Sequence, residues 1–369
     1  MNGNPNNRTA IIVVSWNHGR FLPECFRAVE KALIPEGAAR LMIVDNNSSD
    51  GTPELIRREL LSADGSATSD GFPAIFFDNK ENLGFAGGNN QAMRRSIADG
   101  DKYVYLLNPD TEAVPGFLEE AVRVMESDPA TGIVQSRLML HPRTDLLNSY
   151  GNEIHFLGFG YAGGESMRRD DPAAAAKLVV RDIAYASGAG MLIRTSLLSK
   201  IGLLDEELFA YHEDLEFSWR ARLAGFRVVL APDSVVRHKY EFSRSIKKYY
   251  WMERNRLLVM LRCYRWPTLL VIAPAFLVME LGLWLFAFKS GWWKEKARTY
   301  GYLLSFDHLK KLREARRRVQ GLRVVSDRRA AATFTGKILF QQMQPVLLTR
   351  IANPLFQAYW SILHLLMFW

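Results

Sequence analysis

The chain has 369 residues, enough for one large domain with an appendage or for two modest domains. At 48% apolar with 12% aromatics it can fill a sizeable core, which excludes global disorder. The net charge of +8 is unevenly placed: Lys289 to Gln344 alone holds fourteen Lys or Arg against four acids, a balance suited to anionic lipid, nucleic acid or phosphorylated substrates.

Met1 to Thr9 is polar and Asn-rich without an apolar signal core, so export through a cleaved leader is not expected. Ala10 to Ser15 is a β-branched run, Trp16-Asn17-His18-Gly19 a turn, and Phe21 to Leu33 an amphipathic helical stretch. Leu41 to Val44 is a second apolar run ending at Asp45, after which Asn46 to Pro53 supplies turn residues, a helix cap and an early-helix proline. Ala74 to Phe77 is a third run. The Gly-dense stretch Gly84-Phe85-Ala86-Gly87-Gly88 then precedes a helix through about Ile97, and its backbone could approach a diphosphate. It is neither a G-x-G-x-x-G fingerprint nor a P-loop. Strands of four to six residues alternating with helical segments indicate a doubly wound α/β sheet.

The fourth run, Tyr103 to Leu107, has the length of a buried strand and stops at Asn108-Pro109-Asp110. Pro109 cannot donate to a ladder and pushes Asn108 toward an extended conformation, so Asp110 is delivered just past the strand end. In an open α/β sheet that place is the ligand crevice, and a carboxylate there suits Mg²⁺ or Mn²⁺. The same tripeptide is also good turn chemistry, and alone it does not decide. Asp45 ends its strand at the same sheet edge, where it could bond a base or ribose, or cap the helix at Gly51.

Beyond Asp110 the pattern loosens: a helix near Phe117 to Met125, a strand near Gly132 to Leu138, then a Gly-rich, acidic stretch to about Asp182. Order returns at Ile183 to Ile193, where Ser187 to Gly190 reads equally as a close approach for an acceptor or as a strand bulge. Glu213-Asp214 opens a helix reaching Ala224. Two acids there are ordinary dipole complements, yet a carboxylate at a rigid helix start can also take a proton from a hydroxyl. Phe226 to Leu230 is a strand, Pro232-Asp233 a turn, and His238 follows in a polar setting that suits a structural ring or a metal ligand. Cys25 and Cys263 stand far apart, giving neither a disulfide framework nor a zinc spacing, which fits a reducing compartment.

After about Tyr240 the composition changes. Ile246 to Tyr264 reads as a helix with aromatics and arginines, and Pro267 to Phe288 is apolar except for Glu280. The latter would extend about 33 Å as a helix, just enough to cross a bilayer core. A second apolar segment runs from Pro345 to Trp369. Pro274, Glu280 and a flank of tryptophans favour a segment at or dipping into the interface, and the basic Lys289 to Gln344 loop agrees with a cytoplasmic-side location. The competing reading is a buried helical hairpin of a soluble protein. A nucleic-acid site on Lys310 to Arg329 is disfavoured, because no aromatics interleave that run.

Six ordered blocks between about residues 10 and 240 resemble glycosyltransferase family 2, in its rhamnosyltransferase-like branch. They are Val13 to Asn17, Ile43 to Gly51, Asn82 to Asn89, Leu107 to Asp110, Ser187 to Ala189 and Phe209 to Glu216. The resemblance implies an α/β GT-A fold (a Rossmann-like mixed, mainly parallel sheet flanked by helices) over residues 1–240, and a helical, basic, membrane-associated region over 241–369. It also implies a nucleotide-diphosphate sugar donor, dTDP- or UDP-linked, a divalent cation (Mn²⁺ or Mg²⁺) and inversion at the anomeric carbon. On the donor side it places Ser15, Trp16, Asn17, Asp45, Asn82, Gly84, Asn108 and Asp110, with Asp110 and His238 toward the metal. Asp214 is the implied general base, and Ser187, Gly188, Ala189 and Glu213 lie on the acceptor side. The usual Asp-x-Asp reads Asn108-Pro109-Asp110 here, one charge fewer and looser for metal. The partners implied are the nucleotide sugar, a lipid-linked glycan and the cytoplasmic membrane surface, peripherally or with a crossing segment; a homo-oligomer is left open and nucleic acid is not implied. An inactive nucleotide-sugar-binding or membrane scaffold is the other class of reading, and such a module has no need of a base at Asp214.

Overall fold

Five β-branched residues in seven (Thr9, Ile11, Ile12, Val13 and Val14) favour an extended strand at Thr9–Ser15 (β1), around which the first half of the chain is laid. The computed structural model describes residues 8–240, 246–339, 346 and 348–369. Most of the polar N-terminal stretch, the residues just after 240, the end of the basic stretch and the start of the second apolar segment lie outside the described residues. The chain forms two compact units: Met1–Asn152, Ala162–Phe217 and Phe226–Glu241 make the first, and Glu153–Tyr161, Ser218–Gly225 and Phe242–Trp369 the second.

After β1 come α1 (Leu22–Glu30), β2 (Ala39–Asp45), α2 (Thr52–Leu55), β3 (Ala74–Asp78), α3 (Gly84–Ala98), β4 (Tyr103–Leu107) and β5 (Thr111–Ala113). Next are α4 (Phe117–Glu126), β6 (Thr131–Leu140), β7 (Leu147–Ser149), and the paired β8 (Asn152–Ile154) and β9 (Gly160–Ala162). Then follow α5 (Pro172–Ala175), β10 (Arg181–Asp182), β11 (Gly190–Arg194), α6 (Thr195–Ile201), α7 (Glu213–Leu223) and β12 (Arg227–His238).

The main sheet has the order β10-β12-β6-β11-β4-β1-β2-β3, with β5 beside β12 and β7 beside β6. Strands β1 to β4 are parallel, β12 runs parallel to β6, and β11 is antiparallel to both β4 and β6. The sheet is therefore mixed and mainly parallel, as the sequence led us to expect. Strands β1, β2 and β4 are almost wholly buried, the mark of a sheet covered on both faces. Because β2 and β4 both run parallel to β1, Ser15, Asp45 and Asn108 all follow its carboxyl edge, where open α/β sheets bind ligands.

Two local expectations change. The Gly-dense stretch does not precede a helix; it forms the first turns of α3. Packing is the reason: a Cβ at Gly88 would meet the Val14 side chain at 2.8 Å and Asn46 at 2.9 Å, so α3 can approach β1 and β2 only without one. The strand expected at Phe226 to Leu230 does not stop at a Pro232-Asp233 turn; β12 continues to His238. The proline sits where the β12–β6 register slips between Ala231 and Val235, a bulge that asks no ladder N–H of it.

The second unit is helical: α8 (Ile246–Cys263), α9 (Trp266–Ser290), α10 (Trp293–Leu304), α11 (Phe306–Gly321), α12 (Asp327–Ala330) and α13 (Asn353–Leu366). The carbonyls at the end of α8 are met by side chains of α11: Arg316 donates to Tyr264 O at 2.7 Å and Gln320 to Arg262 O at 2.7 Å. Orphan carbonyls and the negative helix end are thereby satisfied together. Trp219 packs edge-on against Tyr264 and Phe334 at 4.6 and 4.7 Å, and Phe156 stacks on Trp360 at 5.1 Å. Helix α9 is long and apolar enough to cross a membrane by length and composition.

Candidate active site

The loops after β1 and β2 are tied together at the sheet edge. Asn17 and Asn47 adopt left-handed backbone (φ 58° and 60°), which asparagine tolerates. The Asn17 N–H donates to Ser48 Oγ at 2.8 Å, and the Ser49 N–H donates to Asn17 Oδ1 at 2.8 Å. Asp45 is fully buried and both its oxygens are engaged by Ser48, through the N–H at 2.8 Å and the hydroxyl at 2.6 Å. Burial raises its pKa, partly offset by those bonds. It does not cap α2, whose N-cap is Gly51; just before that cap, Asp50 accepts from the Thr52 N–H at 3.1 Å. Ser15 is buried with its hydroxyl unpartnered among the described residues, whereas Trp16 is 51% exposed beside it in sequence.

Asn46 connects this corner to α3, its side-chain amide donating to Gly84 O at 2.8 Å, while the Gly84 N–H donates to Asn82 Oδ1 at 2.8 Å. Gly84 is left-handed (φ 71°), and a Cβ there would lie 2.5 Å from Phe209 O. The loop before α7 is itself strained: Phe209, Tyr211 and His212 all have φ between 61° and 67°, uncommon for bulky residues and concentrated at functional sites.

That loop delivers Glu213 and Asp214. The Gly188 N–H donates to Asp214 Oδ2 at 3.2 Å, and the Leu215 N–H donates to Oδ1 at 2.7 Å. Burial pushes the Asp214 carboxyl up to about 6, against the lowering effect of those N–H groups. Glu213, 6% exposed, is driven well above the carboxylate range by burial first and by the neighbouring Asp214 charge second. Burial thus raises the proton affinity of both adjacent carboxyls, while the Gly188 and Leu215 N–H groups favour the ionised form of Asp214.

Ser187 to Ala189 form a turn ahead of β11 rather than a strand bulge: the Gly190 N–H returns to Ser187 O at 3.2 Å. The Ser187 N–H donates to Gln135 Oε1 at 2.9 Å, and Ala189 O accepts from the Asn108 N–H at 3.5 Å. A Cβ at Gly188 would meet the Phe85 ring at 2.7 Å. Gly188→Ala is therefore expected to cost about 1–3 kcal/mol through overpacking and to lower turnover by displacing the N–H on Asp214. Urea unfolding and kcat check this, and adding Phe85→Ala should restore the stability.

Register explains the last pair. His238 lies opposite Thr111 in the β12–β5 ladder, which brings its ring to Asp110. His238 Nδ1 donates to Asn148 Oδ1 at 2.9 Å, so Nε2 is the nitrogen facing Asp110 Oδ1, at 3.3 Å. A positive charge between these two atoms, a proton or a divalent cation, is what the pair needs, and Asn148 is placed as metal-bound histidines are commonly oriented. Burial raises the Asp110 pKa, but the His238 bond and charge, with His18 adding, outweigh it and leave it below the usual value. Among the described residues no group of three or more His, Cys, Asp or Glu converges, so the protein would offer a cation these two side chains and a diphosphate the rest.

Sequence reading missed Gln135, Asn148, Phe85 and Cys25. Gln135 lies inside the strand expected near Gly132 to Leu138 but in no motif, and Asn148 lies in the Gly-rich, acidic stretch without a pattern. Phe85 stood inside a Gly-dense motif without a role of its own, and the buried Cys25 thiol, pushed up to about 12 mainly by burial, contacts Asn108 O at 3.8 Å.

Residues 10–202 match the family model described as Glycosyl transferase family 2. The chain is 27% identical over 196 residues to the low-salt glycan biosynthesis hexosyltransferase Agl10 of Haloferax volcanii, a match covering 50% of this chain and 54% of that one. It therefore spans about half the length of that relative. It is 22% identical over 254 residues to an N-acetylglucosaminyl-diphospho-decaprenol L-rhamnosyltransferase of Mycobacterium tuberculosis, covering 62% of this chain and 75% of that one. The mannosyltransferase PcManGT from Pyrobaculum calidifontis, solved with GDP-Man and Mn²⁺, superposes with a TM-score of 0.51 at 16% identity, covering 85% of each chain. The fold is GT-A.

Proposed function

The chain belongs to glycosyl transferase family 2, and we propose that it is an inverting, divalent-cation-dependent glycosyltransferase. It moves a sugar, rhamnose being one candidate, from a UDP- or dTDP-linked donor to a hydroxyl of a lipid-linked or polysaccharide acceptor at the cytoplasmic face of the cell membrane. Residues 1–240 carry catalysis in this reading and residues 241–369 the membrane association. The lipid-linked acceptor is supported by the mycobacterial relative, whose name specifies a diphospho-decaprenol.

The observation that carries the proposal is the Ser187–Ala189 turn. It holds Asp214 through the Gly188 N–H and meets Asn108, two residues before Asp110, through the Ala189 carbonyl. A base and a donor-side acid are thus set on neighbouring backbone. Asp110 and His238 would hold the cation, which when bound offsets the negative charge gathering on the departing diphosphate. Asp214 takes the acceptor hydroxyl's proton as that oxygen bonds to the anomeric carbon. The bond from that carbon to the diphosphate oxygen breaks on the opposite face, and the nucleoside diphosphate leaves with its electron pair. Ser15, Trp16, Asn17, Asp45, Asn82, Gly84 and Asn108 orient the donor, and Glu213 with Ser187 to Ala189 the acceptor. Holding both reactants in line supplies part of the rate gain.

A thermal-shift panel tests this directly. One nucleoside-diphosphate sugar with Mn²⁺ is expected to raise the melting temperature by a few degrees, because ligand at about 100 times its Kd adds about 2.7 kcal/mol. The same panel without Mn²⁺ should shift it less. No response to any UDP or dTDP sugar, with or without Mn²⁺, would refute the donor assignment.

A further inference from the structure

Helix α9 has two apolar faces with different fates. One, marked by Ile272, Ala275, Met279 and Ala287, is buried within the second unit. The other repeats at helical spacing through Leu270, Leu277, Leu281, Leu285 and Phe288, each between 60% and 72% exposed. From Leu270 to Phe288 that stripe runs about 27 Å along the helix. Between Leu270 and Phe288 the one charged residue, Glu280, points to the buried side. An apolar strip of this length is more than a water-facing helix ordinarily leaves bare.

The way the buried side is held decides what can cover the bare one. Lys296 Nζ donates to Glu280 Oε2 at 2.8 Å and to Glu253 Oε1 at 2.6 Å, and Arg256 pairs with Glu253 at 2.8 Å and also with Glu280. None of these four side chains is more than 8% exposed, and two acids cancel two bases. Three turns toward the start of α9, Thr268 Oγ1 donates to Asp327 Oδ2, and Asp327 pairs with Arg323 at 2.7 Å. Charged partners therefore line the inner face over about 18 Å of the helix. If α9 crossed a bilayer, Glu253, Arg256, Lys296, Arg323 and Asp327 would enter the hydrocarbon with it, a costly transfer for so many ionised groups.

We infer that α9 is an in-plane membrane anchor: its exposed stripe enters the acyl layer of one leaflet while its inner face stays docked, and its partner is an anionic phospholipid surface. Charge selects lipid over a second copy of the chain. Arg265 and Lys289 stand at the two ends of α9, and Lys294 opens α10. Two copies joined stripe to stripe would set these like charges together, whereas anionic headgroups would neutralise them. Trp266 and Trp293, 61% and 41% exposed, bracket the stripe where amphipathic rings settle at headgroup depth. The inference deepens the membrane-surface part of the proposed function, and its test needs no transfer assay, so either can fail without the other.

The full-length chain is mixed with vesicles of phosphatidylglycerol and phosphatidylcholine, without sugar substrate. The double substitution Leu277→Asp with Leu281→Asp is expected to lower the vesicle partition coefficient about tenfold or more. Its circular dichroism and melting temperature should not change, because both side chains already face water. Pure phosphatidylcholine vesicles should bind the parent chain more weakly. Fluorophores on Leu270→Cys, Leu277→Cys and Leu285→Cys, attached over the buried Cys25 and Cys263, should be quenched by bromolipids at one common shallow depth. A depth that peaks at Leu277 and falls toward both ends would show a spanning helix and overturn the inference. Vesicle binding unaffected by the two aspartates, or no vesicle binding with concentration-dependent dimerisation, would overturn it equally.

Discussion

Asp214→Asn is expected to lower kcat by about 10²- to 10⁴-fold, the range lost when a positioned general base is removed, with little change in donor binding. The substitution keeps the shape but not the proton acceptor. Each Asp214 oxygen accepts a backbone N–H, from Gly188 and from Leu215, and an asparagine can satisfy only one of them. That loss, about 1 kcal/mol, is countered by removing a charge whose burial is unfavourable, so the fold should survive. The pH profile supplies the second check. With the carboxyl raised to about 6, the base is half protonated there, and kcat should fall about tenfold per unit below that pH. Stability should move the other way. A folded-state pKa above the unfolded value means that the native chain holds this proton more tightly, so the group favours folding as pH drops from about 6 toward the ordinary aspartate value of 3.8. An acid limb in activity without matching unfolding would therefore belong to Asp214. Full activity in Asp214→Asn, or a limb that tracks unfolding, would remove it from the mechanism.

Replacing Asp110 by Ala is expected to lower kcat/KM by about 10³-fold or more, the several kcal/mol a bound cation contributes to a phosphate leaving group, and to abolish the Mn²⁺-dependent part of the thermal shift. The position is specific: Asp110 is reached by His238 Nε2 at 3.3 Å and keeps its carboxyl below the usual range because that pairing outweighs burial. Asn148→Ala is the graded companion. It leaves both side chains in place but frees His238 Nδ1, and Mn²⁺ affinity should fall about 10- to 100-fold. Isothermal titration with Mn²⁺ and a nucleoside diphosphate measures both variants. Unchanged Mn²⁺ affinity in Asp110→Ala would move the cation elsewhere.

Much of the site is legible in the residue order alone, because local chemistry determines it. A β-branched run followed by Trp16-Asn17, an apolar run ending at Asp45, and a strand cut off by Asn108-Pro109-Asp110 each state where a strand ends. In a sheet of parallel strands those ends share one edge. Glu213-Asp214 opening a helix is equally plain. The Pro232-Asp233 stretch misleads, because proline reads as punctuation locally while a bulge can absorb it within a continuing strand.

The rest depends on tertiary packing. Only the β12–β5 register brings His238 to Asp110, across more than a hundred residues. Only the approach of α3 to the sheet turns a Gly-dense stretch into helix, since the excluded contacts are with Val14 and Asn46. The raised proton affinity of Glu213 and Asp214 likewise follows from burial, against the N–H that Gly188 gives Asp214, neither of which is written at residues 213 and 214. Residue order specified which groups end each strand and begin each helix, because propensity and punctuation act over a few neighbours. Which of those groups touch, and with what charge, was decided by long-range register and desolvation, which act only once the chain has closed on itself.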